Sequence, residues 1–173
     1  MKTRLQKYPT IRLGIQLCGV LVVILILAKL LAGHVASDDE LRALFVGHRT
    51  ELEALKRMSM EDMGKPRQQD FYVGRDEYSA QLHGITADRF HLYSELIKKM
   101  GVRAISGDKD RVRFHISRVG WAGEGLTKGL LWCAAPITNL NERIEGIHHW
   151  VVNLRYVPLE DGWYVFESDA HNE

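Results

Sequence analysis

The sequence predicts an α+β domain carried behind one N-terminal transmembrane helix: two helices packed on a four- to five-stranded antiparallel sheet. Three observations predict it. Residues 13–33 are an apolar run with basic residues ahead and acidic residues behind. Between Leu41 and Met100 the apolar side chains fall at helical spacings of three and four. From Arg103 onward the spacing becomes two, the period of a strand.

The apolar run comes first. Leu13 to Ala28 holds no charged residue, and its middle reads Val20-Leu21-Val22-Val23-Ile24-Leu25-Ile26-Leu27. At about 1.5 Å per residue, a helix over 13–33 reaches roughly 31 Å, the thickness of a bilayer's hydrocarbon core. Lys2, Arg4, Lys7 and Arg12 precede it, and Ser37-Asp38-Asp39-Glu40 follows. The positive-inside bias then leaves residues 1–12 in the cytoplasm and carries residues 37–173 across the membrane. A cleaved signal peptide shares the basic lead and apolar core. Against it, Lys29 stands where a cleavage region is small and neutral, and cleavage after Ala36 would put His34 two residues upstream. Leu30-Leu31-Ala32-Gly33 opens like a bacterial lipobox, but His34 occupies the place of the lipidated cysteine.

Helices follow. Ser37 and Glu40 have the spacing of a capping box, which satisfies two backbone donors at a helix start. Behind it Leu41, Phe45, His48, Leu52 and Leu55 share one face, and Gly64-Lys65-Pro66 ends the segment. This stripe packs on its own domain or, as a weak seam, pairs two copies through residues 41–55. Residues 68–84 lack periodicity and read as loop with a short strand at Phe71-Tyr72-Val73. Thr86 caps a second helix whose face is Phe90, Tyr93, Ile97 and Met100, and Gly101 stops it.

The strands come next. Residues 103–106 and the turn Gly107-Asp108-Lys109-Asp110 feed a strictly alternating strand, Arg111 to Ser117, with Val112, Phe114 and Ile116 inward. Residues 126–134 are apolar on both sides around Leu130, Leu131 and Trp132, which predicts a central strand with Trp132 buried. Pro136 ends it. Residues 149–157 alternate again, with Trp150, Val152, Leu154 and Tyr156 on one side. Glu160-Asp161-Gly162 then turns the chain into Trp163-Tyr164-Val165-Phe166.

Composition narrows the function. Five of the 23 Lys and Arg precede residue 37, so the exported part carries 18 basic against 22 acidic residues, a formal charge of −4. That balance argues against a nucleic-acid partner. Cys18 lies in the apolar run and Cys133 far beyond it, so no intrachain disulfide is expected, and Cys133 reads as a small buried hydrophobe.

Histidine is common in the exported part, but His148 and His149 are adjacent and face opposite ways on a strand, and no zinc motif occurs. No metal or cofactor is expected. The stretch Gly120 to Gly129 is glycine-rich, yet Thr127-Lys128-Gly129 leads into a strand where a phosphate loop would open a helix, so it reads as a hairpin connection. No nucleophile elbow and no marked carboxylate pair appear, and no catalytic residue is assigned.

A recognition face remains. Arg111, Arg113, His115 and Ser117 share the polar side of one strand; His149, Asn153 and Arg155 share that of another. Close together in one sheet, they would form a cationic face, with Trp121 and Trp163 as amphipathic anchors. The expected binding residues are Arg113, His115, Trp121, Arg155 and Trp163.

The C-terminal half resembles a group of uncharacterised small membrane-anchored or exported proteins of Gram-negative bacteria. Lys128-Gly129-Leu130-Leu131-Trp132, a loop with Leu140 and Glu142, Arg155-Tyr156 and Gly162-Trp163-Tyr164-Val165-Phe166 carry the resemblance, over roughly residues 100–167. The group's Tyr-Arg pair stands here in reverse order. The resemblance implies an envelope protein without an enzymatic signature and supplies no catalytic residue; the inner-membrane address with a periplasmic domain comes from the apolar run and its flanking charges. The expectation is a non-catalytic interaction protein with an envelope protein as partner, immunity proteins being one class of that size and address. The alternative is an envelope hydrolase or a small-ligand-binding domain using the polar face of the sheet.

Overall fold

The computed structural model describes residues 34–63, 71–74, 76–120, 125–145 and 150–172. The apolar run 13–33 lies outside them, as do Trp121, His148 and His149. Among the described residues no helix is long and apolar enough to cross a membrane.

Helix α1 (Asp38–Gly47) starts on the predicted capping box: Ser37 Oγ accepts from the Glu40 N–H, and the Glu40 carboxylate accepts from the Ser37 N–H at 2.7 Å. The expected single helix is interrupted at His48, which caps α1, and α2 (Arg49–Met63) continues. Leu41, Phe45, Leu52 and Leu55 are all buried in the chain's own core, so that stripe is spent within the domain.

After strand β1 (Phe71–Val73) comes a short helix, α3 (Glu77–Leu82), where loop was expected. Helix α4 (Ala87–Met100) matches its expectation at both ends. Thr86 Oγ1 accepts from the Arg89 N–H, Gly101 ends the helix at φ 69°, and Phe90, Tyr93, Ile97 and Met100 are the buried face.

Six further strands complete the sheet: β2 (Ala104–Asp108), β3 (Arg111–Val119), β4 (Gly125–Cys133), β5 (Asn141–Glu145), β6 (Trp150–Pro158) and β7 (Trp163–Asn172). They form one seven-stranded sheet in the order β1-β2-β3-β4-β7-β6-β5, antiparallel throughout. The α+β class stands, with seven strands and four helices among the described residues instead of four to five strands and two helices. Strand β5 was missed because Asn141-Glu142-Arg143-Ile144-Glu145 is polar and exposed, an edge strand with one apolar side chain. Only its pairing with β6 makes it a strand.

Strand β4 is central, as expected, with Leu130 and Leu131 buried on opposite faces. Trp132 is only half-buried, under the Lys56 ammonium at 4.8 Å from its ring. The deeply buried tryptophan is Trp163, 1% exposed, between Phe45 and Phe114 with ring centroids at 5.5 and 5.4 Å. Its Nε1–H donates to Glu53 at 2.8 Å, which satisfies the one polar atom of the ring.

The two faces of the sheet differ. Val112, Phe114, Leu130, Trp163 and Val165 join α1, α2 and α4 in the main core. On the other face Leu131, Cys133, Tyr156, Tyr164 and Phe166 form a second buried cluster, joined by Ile137, Leu140 and Leu154 and, among the described residues, by no helical one. The segment between β4 and β5 folds against it: Tyr164 Oη accepts from the Ile137 N–H at 3.0 Å.

Candidate functional site

The sequence placed five residues in one site, and the structure separates the four of them that it describes. Arg113 and His115 project from β3 onto the helix-free face. Strand pairing puts them opposite Leu131 and Gly129, and the His115 ring stands edge-on to Phe166 at 5.6 Å. Gly129 makes that contact feasible, because a Cβ there would collide with the Phe114 carbonyl oxygen and press on the Phe166 ring.

Arg155 lies on the opposite face. It pairs across β6–β7 with Glu167 at 3.1 Å and takes the Asp38 carboxylate in a two-pronged grip, both prongs at 3.0 Å. Lys128 of β4 completes this cluster, 2.8 Å from Asp38 and 2.9 Å from Glu167. Two cations and two carboxylates balance, and hydrogen bonds from Arg155 and Lys128 hold the Asp38 carboxyl down near 2. The role of the cluster is to fasten the start of α1 to the sheet. Trp163 belongs to the core, and Trp121 falls outside the described residues.

A bulge accounts for the rest of the misplacement. Pairing shifts between His115 and Ser117, so Ile116 is the extra residue. Past it, Ser117 turns to the helix side, where its Oγ accepts from the buried Ala36 N–H at 3.1 Å. Arg118 takes the place Ser117 was expected to fill, opposite Thr127. The helix-free face of β3 is therefore Arg111, Arg113, His115 and Arg118. Among the described residues none of these three arginines is in an ion pair.

Sequence reasoning missed Ser106. Its Oγ lies 2.7 Å from His115 Nε2, the spacing of a nucleophile and its base. The electrostatics oppose that chemistry. Burial, with Arg113 and Arg118 close by, pushes the imidazole down to about 4. A general base works best near the operating pH, and an imidazole this acidic is a poor acceptor for a serine proton. The pair is suited to fixed hydrogen bonding. Cys133, the buried thiol on the same face, has its ionisation pushed up by burial and is no better a nucleophile.

At the end of this face a hollow of about 460 Å³ opens between the β2–β3 turn and residues 134–137. Lys109 and Arg111 line it against Asp108 and Asp110, so its charge is balanced. Among the described residues no three His, Cys, Asp or Glu converge to hold a metal ion. Set against known proteins, the chain matches no family model, no curated protein and no solved structure.

Proposed function

We propose that this chain is a single-span protein of the bacterial inner membrane, its N-terminus cytoplasmic, whose periplasmic domain binds another envelope protein without catalysis. The helix-free face of the sheet is the surface it presents. One observation carries this reading: on the face where no described helix packs, Arg111, Arg113 and Arg118 stand exposed or half-buried beside a buried aromatic cluster, and among the described residues none of the three has an ion-pair partner. Arginines of that kind, accessible and without a counter-charge, are among the side chains that interfaces concentrate. The neutral, weakly basic His115 beside Ser106 favours binding over hydrolysis.

Retention of the apolar segment has its own support. Ala36 is buried and its N–H satisfies Ser117, so a chain cut after Ala36 would leave a buried hydroxyl unpaired. The hollow beside Arg111 is the observation that favours the small-ligand alternative, but its balanced charge selects no class of ligand.

Site-specific photocrosslinking in intact membranes tests the reading. A photoreactive residue at Ile144, exposed on the β5 end of this face, should yield a discrete heavier adduct, whereas one at Leu92 on α4 should not. The adduct should stay with the membrane fraction and retain residues 1–36. Equal adducts from both positions would remove the face, and a soluble adduct starting near Ala36 would remove the anchor.

A further inference from the structure

The helix-free face carries a charge pattern beside its buried apolar cluster. Arg111 and Arg113 leave β3 on alternate residues, about 7 Å apart along the strand. The bulge at Ile116 sets Arg118 in the same file, about 15 Å beyond Arg113 at strand rise. Among the described strand residues two carboxylates share the face. Asp108 stands opposite Arg111 and accepts from the Asp110 N–H at 2.9 Å, so Arg111 is the partly balanced end of the file, and Glu142 sits far across on β5. The remainder of the exported part is acidic, so an acidic partner is repelled elsewhere and steered to this file.

We propose that this face recognises an extended acidic polypeptide segment lying along β3, its alternate carboxylates paired by Arg111, Arg113 and Arg118. The spacing of carboxylates on alternate residues of an extended chain, again about 7 Å, matches that of Arg111 and Arg113. The guanidinium forks offer two-pronged pairing to each carboxylate. Between the arginines, the Ser106–His115 pair presents a polar site that stays uncharged at neutral pH, so it neither repels nor competes for the carboxylates. This inference rests on the helix-free face being the binding face.

The test uses the full chain in nanodiscs of neutral lipid, with a fluorescein-labelled peptide of four alternating Glu-Thr pairs read by anisotropy. The acidic peptide should bind at least tenfold more tightly than its Lys-Thr counterpart, and raising the salt from 50 to 300 mM should weaken it several-fold. Arg111→Gln with Arg113→Gln should weaken binding at least tenfold, while Arg57→Gln on the exposed side of α2 should leave it unchanged. If the double variant fails to fold, Arg118→Gln at its exposed position should alone weaken binding severalfold. Equal binding of both peptides, no binding of either, or indifference to all three arginines would overturn the proposal. So would capture of phosphatidylglycerol vesicles by the same arginines with no capture of the peptide. A surviving Ile144 adduct would then show that acid recognition failed while the binding face stood.

Discussion

At the scale of single residues, Trp163 is the largest side chain in the core, and it is clamped on three sides. Phe45 and Phe114 flank its ring, and Glu53 holds its N–H, while Arg49 ties the turn just before it through Glu160 at 2.9 Å and Asp161 at 2.8 Å. Asp161 takes a φ of 53° and Gly162 one of 78°, the left-handed pair that a tight hairpin turn requires. Removing the ring leaves a cavity that this much fixed structure cannot close. Trp163→Ala should cost about 3–5 kcal/mol. Trp132→Ala removes a half-buried ring and should cost about half as much. Thermal melting of both variants checks the order, and equal losses would contradict the burial difference.

Among the elements, α1 is held to the sheet by charge as well as by packing. Its first residue, Asp38, joins β4, β7 and β6 through Lys128, Glu167 and Arg155. Lys128 is 7% exposed, so the cluster is desolvated on its sheet side. Taking away one member of a half-buried network leaves the opposite charges undercompensated, and water screens part of that loss. Asp38→Asn should therefore cost about 1–2 kcal/mol in chemical denaturation. Asp39→Asn, one residue on and exposed, loses only its interaction with the helix dipole and should cost under about 1 kcal/mol. A similar cost for both would mean that the cluster contributes nothing beyond ordinary helix-start charge.

For the molecule as a whole, these groups set how stability depends on acidity. His115 titrates in the fold at about 4 against an ordinary 6.5, so the unfolded chain binds its proton first. Stability from its neutral form is complete above pH 6.5 and is lost as pH falls toward 4. Asp38 is depressed from 3.8 to about 2 by its hydrogen bonds to Arg155 and Lys128, and Glu167 is lowered by hydrogen bonds to the same two cations, which outweigh its burial. Their stabilisation is complete above the ordinary carboxylate range and is lost as pH falls below it, for Asp38 as pH approaches about 2. A melting profile against pH should fall in two steps, the first between 6.5 and 4. His115→Asn should flatten that first step and leave the second. A first step that survives the substitution would assign it to another group.

Local chemistry is what the amino-acid sequence determined by itself. The capping box at Ser37, the Thr86 cap, the Gly101 stop and the buried stripe of α4 depend on residues within a turn or two of one another, and each stands where its spacing placed it. The central position of β4 followed likewise, from an apolar run that only a strand covered on both faces can bury. Which way the functional side chains point was decided by tertiary structure alone. One extra residue at Ile116 reverses every position after it, exchanging Ser117 for Arg118, and nothing in the alternation of Arg111 to Ser117 announces that shift. Arg155 went to the helix side because its strand pairs with β7, where Glu167 and the start of α1 supply its counter-charges. Trp163 went to the core because Phe45, Glu53 and Phe114, distant in sequence, close around it. A strand has two faces and a period of two, so its sequence can say which residues travel together. Only the neighbours it pairs with decide which face packs under the helices and which does not.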